Sequence, residues 1–378
     1  MDTPKQENIE FVDLAAQLEQ IKPQMQQAIW EVVESTAFIR GPQVDRLEQK
    51  LGDYVGVQAI GCASGTDALM IALMALDVKP GDQIIIPDFT FIATGEVVSL
   101  LGAVPVFCDV DPVTYNMDPQ ILESLINEKT VGIIPVSIFG QCADFDAINA
   151  IAGTHSLWVM EDGAQSFGAE YKGQKSCSMT TVATTSFFPA KPLGCYGDGG
   201  AVFTADNQLA DKIRMILNHG QSQRYVHSLI GVNARLDTIQ AAVLLAKLPI
   251  FDQEMERRRW VASEYTRLLG QAEAAAEDRG GFTLPQIASF NTSVWAQYTL
   301  QHDKRDVIRE KLQEKGIPTS VHYPVPLHKQ PAFGYLGAQP DCPVTSALSD
   351  RVFSIPMHPY LTEKQIERVA TAVLEAVR

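Results

Sequence analysis

One charged side chain, Lys191, stands in an otherwise uncharged stretch of the sequence, residues 176–197. It follows a predicted apolar strand, residues 181–188, and has a proline nearby on either side, Pro189 and Pro192. Desolvation at such a position lowers the pKa of an amine, and a neutral amine is a nucleophile toward a carbonyl carbon. The alternative is a lysine that reaches solvent from an apolar loop.

Two acidic residues, Glu161 and Asp162, end another apolar segment, residues 157–162, and Gln165 follows three residues later. A carboxylate at the end of a buried strand is costly unless a cation or a hydrogen-bond donor faces it. The pair therefore predicts a carboxylate that faces a ligand, with Gln165 close enough to face the same one. The alternative is an exposed turn, since the Asp-Gly dipeptide is common in turns.

The third candidate is the segment SGTDAL, residues 64–69, in which a Ser-Gly-Thr turn precedes a helical pattern. Free N–H groups at a helix N-terminus favour an anion, and Gly65 would allow the anion a close approach. The alternative is an ordinary helix cap made by Ser64 or Thr66. The chain contains neither a P-loop motif nor a dinucleotide-binding glycine motif.

These three segments together match the needs of one cofactor, pyridoxal 5'-phosphate. The anion site would hold the phosphate, and a carboxylate would keep the ring nitrogen protonated so that the ring accepts electrons. The amine would form a Schiff base with the aldehyde. We therefore expect Asp162 and Lys191 to be catalytic, with Lys191 also serving as general base in a 1,3-proton shift.

Composition and charge exclude several classes of function. The 378 residues carry a net charge of −15 and contain no Lys/Arg run, which argues against nucleic acid and anionic membranes as partners. The six cysteines show no Cys-x-x-Cys spacing and the histidines no metal-binding pair, so neither a disulfide framework nor a metal site is predicted. The absence of a signal-peptide pattern and of a membrane-spanning apolar run predicts a cytoplasmic protein.

The elements that must position these side chains alternate along the first half of the chain. Apolar runs lie at residues 83–87, 104–110, 131–140 and 157–162, separated by amphipathic segments at 66–77, 91–101, 118–127 and 143–152. Two of these runs are rich in Val and Ile and do not alternate, which is typical of strands covered on both faces of a parallel sheet. Two further strands are predicted at 181–188 and 200–205, before a helix over 206–218.

A long helical pattern then reaches about residue 269, and Pro249 is expected to kink or break it. Residues 271–293 are predicted to be a connector, and a strand–helix–strand–helix pattern follows. We predict an α/β protein with a large domain over residues 1–269 and a small α+β domain over residues 270–378. Ligands of such folds bind at the carboxyl ends of the strands.

Six motifs occur in the order FTFIAT, EDGAQSFGA, SFFPAKPLGCYGDGGA, GVNARLD, VHYPVPLHKQPA and SIPMHPYL. Their order resembles that of the sugar-nucleotide aminotransferases of the DegT/StrS type, from about residue 8 to the C-terminus. The resemblance is greatest to members that aminate a 3-keto UDP-N-acetylglucosaminuronic acid for lipopolysaccharide O-antigen. It implies a fold of the aspartate-aminotransferase type (fold type I), L-glutamate as amino donor, and a homodimer with shared active sites.

The resemblance also implies a role for individual residues. Lys191 would form the Schiff base, Asp162 would hold the ring nitrogen, and Gln165 would lie beside the phenolic oxygen of the cofactor. Phe91 would stack on the ring, with Phe89 as a substitute. The phosphate contacts implied are Gly65, Thr66 and Ser186 from one subunit and Asn233 from the other. Related sugar dehydratases have a histidine in place of the lysine, so Lys191 implies transamination.

Arg235, two residues after Asn233, suits a carboxylate because a guanidinium group can pair with it through two hydrogen bonds. It could bind the glutamate donor and the uronate in turn, and the alternative is a salt bridge to Asp237 or another acid. The resemblance implies that His322 and Tyr323 lie over the sugar. We expect the histidines of the C-terminal part to be hydrogen-bonding or structural groups; they are His322, His328 and His358.

Three other functions stay open. One is an aminotransferase that acts at C4 of a different keto-deoxy nucleotide sugar, and another is a regulatory homologue that binds the cofactor without turnover. The third, a nicotinamide-dependent oxidoreductase, is disfavoured because the glycine-rich motif is missing.

Overall fold

The computed structural model describes residues 8–275 and 281–377. The helices are α1 (Leu14–Ser35), α2 (Pro42–Val55), α3 (Gly65–Ala75), α4 (Ala93–Leu100), α5 (Pro119–Leu122), α6 (Phe145–Thr154), α7 (Asn207–Ile216), α8 (Thr238–Ala275), α9 (Arg305–Glu314), α10 (Pro343–Arg351) and α11 (Glu363–Val377). The strands are β1 (Gln58–Cys62), β2 (Gln83–Pro87), β3 (Val104–Cys108), β4 (Thr130–Ile133), β5 (Trp158–Asp162), β6 (Glu170–Tyr171), β7 (Gln174–Lys175), β8 (Val182–Ser186), β9 (Gly200–Thr204), β10 (Gln221–Gln223), β11 (Val226–His227), β12 (Asn291–Thr292), β13 (Tyr298–Gln301) and β14 (Val352–Ile355). Short 3-10 helices are formed by Glu123–Leu125, Ile138–Gly140, Leu327–Lys329 and Pro331–Leu336.

Seven strands form the central sheet, in the order β1-β9-β8-β5-β4-β2-β3. Neighbouring strands from β3 to β8 pair in parallel, whereas β9 is antiparallel to both β8 and β1. Ile85 of β2 packs in one hydrophobic core, and Ile84 and Ile86 pack in a second one, so both faces of the sheet are covered. The predicted α/β fold with a mostly parallel sheet is confirmed, and only β9 is reversed.

Three local predictions differ from the structure. The apolar run 131–140 forms a strand only over Thr130–Ile133, because Pro135 has no N–H group to donate and the chain turns at Phe139, where φ is 56°. The helix expected over 118–127 is the single turn α5, followed by a 3-10 helix. Strand β1 was not predicted, since its segment QAIGC contains only one β-branched residue.

Of the kink or break expected at Pro249, the break does not occur, because α8 is one helix from Thr238 to Ala275 with Pro249 inside it. Packing against α1, α2 and α11 along its length outweighs the cost of one proline. The C-terminal half of α8 contributes Val261, Tyr265 and Leu269 to a third core, together with β13, β14 and α11. The division of the chain at residue 269 stays a prediction.

Within the described ranges, no helix is both long and apolar enough to cross a membrane.

Candidate active site

The carboxyl ends of β1, β2, β5 and β8 lie at one edge of the sheet, because these strands share one direction. Residues singled out in the sequence follow each of them. Gly65 follows β1, Phe91 follows β2, Asp162 ends β5, and Lys191 follows β8. The fold therefore brings four distant segments of the chain to the edge where ligands of α/β folds bind.

Asp162 is buried at the end of β5, and its carboxylate accepts two hydrogen bonds. Thr94 Oγ1 on α4 donates to Oδ2 at 2.8 Å, and the Ala164 amide donates to Oδ1 at 3.1 Å. Burial raises the pKa of Asp162, while the two donors and the charge of Lys191 oppose that rise. The two donors thus hold the carboxylate in one orientation, and they and Lys191 favour its ionised form against the effect of burial.

Glu161, the other acid of the predicted pair, does not face this site. It is fully buried, and its Oε1 accepts hydrogen bonds from Ser137 Oγ and Ser176 Oγ, each at 2.7 Å. Its Oε2 accepts from the Cys177 amide at 2.7 Å. Because polar groups of the protein interior satisfy it, Glu161 anchors the loops around β5, and Asp162 is the acid available to a ligand.

Lys191 is half-buried in the loop after β8. Its amide donates to the Phe188 carbonyl at 2.9 Å, and the Cys195 amide donates to the Phe187 carbonyl at 2.7 Å, which closes the loop. Burial lowers the pKa of the amine, and the charge of Asp162 partly opposes that shift. The two side chains therefore interact electrostatically, with the amine driven toward its neutral, nucleophilic form.

Three further predicted residues lie beside Asp162 and Lys191, namely Gln165, His322 and Tyr323. We call these five residues the Lys191 cluster. Gln165 Nε2 donates to Tyr323 Oη at 3.2 Å, and the Phe139 amide donates to Gln165 Oε1 at 2.9 Å. Burial and the positive charge of Lys191 lower the pKa of His322 to about 4. Burial and the charge of Asp162 raise the pKa of Tyr323.

The two aromatic candidates after β2 differ in exposure. Phe91 is 54% exposed, and its ring centre lies 6.1 Å from that of Tyr323. Phe89 is 1% exposed and packs against Tyr115 and Phe139. A ring that stacks on a ligand must have a free face, so the geometry favours Phe91 over Phe89.

The predicted phosphate contacts from one subunit also lie together. A Cβ atom placed on Gly65 would be 2.6 Å from Ser186 Cβ, so the start of α3 packs directly on the end of β8. Ser64 caps the helix by accepting from the Asp67 amide at 3.0 Å. Gly65 and Thr66 begin the helix, where the first N–H groups have no intrahelical partner. The cap by Ser64 is therefore formed, and the anion site at the next amides stays a prediction.

Asn233 and Arg235 are not joined to the Lys191 cluster by any hydrogen bond, ion pair or ring contact within the described residues. Asn233 is exposed and pairs through its backbone with Asn218. Arg235 Nη1 donates to Asn218 Oδ1 at 2.8 Å, while its Nε is buried without a hydrogen-bond partner. The salt bridge to Asp237 considered as an alternative is not formed, so the guanidinium group retains donors for a ligand.

Within the described residues, His328 and His358 form no hydrogen bond, ion pair or ring contact with the Lys191 cluster. The His328 amide donates to Asp88 Oδ1 at 2.8 Å, and His328 Nδ1 lies 2.6 Å from Asp88 Oδ2, with the Cys342 thiol close by. This network joins the end of β2 to the C-terminal segment, which is the hydrogen-bonding role expected of His328. His358 is buried beside Arg258, and burial lowers its pKa to about 4.

Two residues of the site were not predicted from the sequence. Thr94 stands in the motif FTFIAT, but only the fold shows that its hydroxyl reaches Asp162. Lys247 is buried on α8 and donates to the carbonyl of Gly194 in the Lys191 loop. The sequence shows Lys247 only as a lone lysine within the apolar run AAVLLAKLPIF. The same pattern is found where a lysine side chain extends from an apolar helix face to solvent, so it does not indicate a buried contact.

The residues at this edge fit pyridoxal phosphate. The buried Asp162 carboxylate suits a protonated ring nitrogen, and the amine of Lys191 is desolvated and nucleophilic. Helix α3 begins directly beside Ser186, since a Cβ atom on Gly65 would lie 2.6 Å from Ser186 Cβ, so the first amides of the helix and the Ser186 hydroxyl lie close together. The buried Nδ1 of His322 has no partner and can bond to a ligand.

Comparison with known proteins gives full-length similarity. A UDP-2-acetamido-2-deoxy-3-oxo-D-glucuronate aminotransferase of Pseudomonas aeruginosa is 52% identical, over 97% of this chain and 99% of its own. A UDP-N-acetyl-3-dehydro-alpha-D-glucosamine 3-aminotransferase of Acidithiobacillus ferrooxidans is 41% identical, over 97% of both chains. The crystal structure of S. venezuelae DesV in complex with a ketimine intermediate superposes with a TM-score of 0.93 at 37% identity, over 99% of both chains.

Residues 19–374 match the DegT/DnrJ/EryC1/StrS aminotransferase family. The predicted fold class and the predicted aminotransferase activity are confirmed by this match and by the two enzymes and one structure above. The chain belongs to the DegT/DnrJ/EryC1/StrS aminotransferase family.

Proposed function

We propose that this enzyme transfers the amino group of L-glutamate to C3 of a 3-keto UDP-N-acetylglucosaminuronic acid. The products are UDP-2-acetamido-3-amino-2,3-dideoxy-glucuronate and 2-oxoglutarate, so one amino group and one carbonyl oxygen exchange places. The observation that carries the proposal is the 52% full-length identity to an aminotransferase named for that 3-oxo uronate. A second relative is also named for a ketone at C3, which favours C3 over C4.

Pyridoxal phosphate is the cofactor, as the sequence predicted, and when bound it supplies a carbonyl group and an electron-accepting ring. The amine of Lys191 would bind that carbonyl group, and Asp162 would face the ring nitrogen. Phe91 would lie against the ring and Gln165 beside the phenolic oxygen. Gly65, Thr66 and Ser186 would hold the phosphate. The lowered pKa of Lys191 supports its second role, in which the freed amine takes up and returns a proton at the substrate carbon.

The substrate side is assigned to His322, Tyr323 and Arg235. His322 and Tyr323 belong to the Lys191 cluster, where a sugar must lie for its keto carbon to be reached. A neutral His322 can accept or donate a hydrogen bond without adding a positive charge beside Lys191. Arg235 has unpaired donors and would bind the carboxylates of glutamate and the uronate in turn.

The enzyme is proposed to work as a homodimer in the cytoplasm, in a pathway to lipopolysaccharide O-antigen. Exposed apolar side chains support a dimer: Ile230 is 88% exposed, Tyr225 is 79% exposed, and both lie a few residues before Asn233. Large apolar groups clustered at a surface mark contact sites. In the dimer Asn233 would complete the phosphate site of the partner subunit.

An absorption spectrum of the purified protein, before and after L-glutamate, tests the chemistry. We expect an imine band that glutamate converts to the pyridoxamine band. A bound cofactor that does not respond to glutamate would indicate another donor or a regulatory role without turnover. No cofactor band, even after pyridoxal phosphate is added, would contradict the proposal.

A second experiment identifies the sugar. The pyridoxamine form is mixed in parallel with the 3-keto uronate and with a 4-keto deoxyhexose nucleotide, and the return of the imine band is followed. We expect the 3-keto uronate to restore the band much faster. Faster return with the 4-keto sugar would favour the C4 aminotransferase.

A further inference from the structure

A buried lysine of helix α8, Lys247, contacts the loop that contains Lys191. Lys247 is 1% exposed, and its Nζ donates to the Gly194 carbonyl oxygen at 2.6 Å. The same Nζ lies 4.5 Å from the centre of the Tyr196 ring, within the range of a cation–π interaction. One ammonium group therefore holds the loop at two points just after Lys191.

Gln240, on the same helix, holds the loop at a third point. Its Oε1 accepts from the Tyr196 amide at 2.9 Å, and its Nε2 donates to the Tyr196 carbonyl at 3.1 Å. Gln240 and Lys247 are seven residues apart, which places them on one face of the helix. The long, rigid helix α8 thus fixes the segment 194–196.

The loop around Lys191 is closely packed, so a shift of residues 194–196 must move other parts of the loop. The Cys195 amide donates to the Phe187 carbonyl at 2.7 Å, so residues 188–194 form a closed turn with Lys191 in its middle. A Cβ atom on Gly194 would lie 2.4 Å from the Pro189 carbonyl oxygen, which shows how tightly the turn packs on itself. A displacement of Gly194 must therefore move the rest of the turn.

Stability alone gives no reason for an ammonium group at this place. Lys247 makes no ion pair within the part of the chain that the structure describes, and Glu254 and Cys195 are the charged or titratable groups that influence it. Burial lowers the pKa of Lys247 to about 8. Burying a cation costs more than burying a neutral donor.

We propose that Lys247 is a positioning residue, which holds the Gly194–Tyr196 end of the loop and thereby keeps the amine of Lys191 at the edge of the sheet. The inference rests on the role proposed above for Lys191. The contact between α8 and the loop does not depend on that role, so the two can be tested separately.

The test compares Lys247→Met, which keeps an unbranched four-atom apolar chain but removes the donor, with Arg258→Met as a matched control. Arg258 is also a buried cation on α8, and it donates to the carbonyls of Trp295 and Met357 at 3.2 and 3.1 Å, far from the loop. Both variants lose hydrogen bonds from a buried cation. Only Lys247→Met loses one to the Lys191 loop.

The first measurement is amide hydrogen exchange of residues 187–197 in the full chain without added cofactor. We expect exchange about 10- to 100-fold faster in Lys247→Met and unchanged in Arg258→Met, since a hydrogen bond from a charged donor is lost in one loop only. The second is the rate at which pyridoxal phosphate becomes attached to Lys191, trapped with borohydride, which should fall in the same variant alone.

Equal loop exchange in the wild type and Lys247→Met, or the same increase in Arg258→Met, would overturn the inference. If Lys247→Met does not fold, Lys247→Gln replaces it. Its amide is one bond too short to reach Gly194 but keeps the site polar, and the same two measurements decide. Failure to trap the cofactor on Lys191 in the wild type would contradict the proposed function instead.

Discussion

At the scale of single residues, the site places a desolvated amine beside a buried carboxylate. Burial acts on both groups, lowering the pKa of Lys191 and raising that of Asp162. Hydrogen bonds from Thr94 and Ala164 oppose the rise at Asp162, and the charge of Asp162 opposes the fall at Lys191. Environment alone thus prepares Lys191 for attack on a carbonyl group and Asp162 for a cationic ring nitrogen.

Replacement of Lys191 by alanine should leave cofactor binding but remove turnover. The contacts of the ring and the phosphate remain, while the group that attaches the carbonyl and moves the proton is gone. We expect kcat to fall by at least about 1000-fold. The measurement is steady-state turnover together with the cofactor spectrum, and substantial turnover in Lys191→Ala would overturn the assignment.

Replacement of Thr94 by valine removes the hydroxyl that donates to Asp162 at 2.8 Å and keeps the shape of the side chain. The carboxylate then loses a donor that favours its ionised form, so the pKa of Asp162 rises. We expect kcat to fall about tenfold, and the acid limb of the pH profile to move to higher pH. Thr94→Ser should restore both, and an unshifted profile in the valine variant would exclude this role.

The sequence predicted the members of the Lys191 cluster that lie in continuous motifs, such as Asp162 with Gln165. It did not predict Thr94 or Lys247, because each acts on a segment far along the chain. Asp162 is 68 residues from Thr94, and Gly194 is 53 residues from Lys247. Only tertiary packing brings such pairs together, and no local spacing indicates them.

At the scale of elements, strands covered on both faces were the most predictable features. The segments VPVFC of β3 and QIIIP of β2 consist almost entirely of apolar residues, so their composition alone predicts that they are buried. The reversed direction of β9 has no such signal, since GAVFT would be equally apolar in either direction. In helix α8 a local signal was weaker than packing, because the helix continues through Pro249, where the sequence predicted a kink or a break.

The contact between α3 and β8 gives a prediction at this scale. In Gly65→Ala the new Cβ atom would lie 2.6 Å from Ser186 Cβ, so the helix and the strand end must separate. Overpacking of this kind costs about 1–3 kcal/mol, and we expect pyridoxal phosphate to bind about 10- to 100-fold more weakly.

The measurement is a fluorescence titration of the unloaded protein with pyridoxal phosphate. Gly153→Ala is the matched control, because Gly153 lies in α6 and a Cβ atom there would meet nothing within 4 Å. The control should bind the cofactor as the wild type does. Wild-type affinity in Gly65→Ala would show that this contact does not shape the phosphate site.

At the scale of the whole molecule, His358 should make the fold sensitive to acid. Its pKa is about 4 in the folded chain, lowered by burial and by the charge of Arg258, against 6.5 in the unfolded chain. Between these values the unfolded chain binds more protons, so stability falls as the pH falls from 6.5 to 4.

The comparison with His358→Phe isolates this effect, because buried carboxyl groups with raised pKa values, such as Glu161, act in the opposite direction in both proteins. We expect the wild type to lose about 3 kcal/mol more of its free energy of unfolding than the variant over this range. Denaturant titrations at several pH values measure it, and parallel curves would contradict the expectation.

The sharing of active sites between two subunits, proposed above, would be a property of the assembly, and no motif within one chain tests it. Asn233 is exposed and lies next to the apolar side chains proposed for the dimer contact, whereas Lys191 is half-buried at the sheet edge. If Asn233 serves the partner's phosphate site, each active site takes Lys191 from one subunit and Asn233 from the other. Lys191→Ala and Asn233→Ala then remove residues that a site receives from different subunits. Each variant alone should have little activity.

A mixed dimer of these two variants would contain one site with both defects and one with neither. After the two inactive proteins are unfolded, mixed in equal amounts and refolded, half of the dimers should be mixed. Activity should then recover to about a quarter of the wild-type value. Recovery requires that one site draw Lys191 and Asn233 from different chains, because a site built within one chain would stay defective in every dimer. Steady-state turnover after mixing measures it, and no recovery would mean that each subunit completes its own phosphate site.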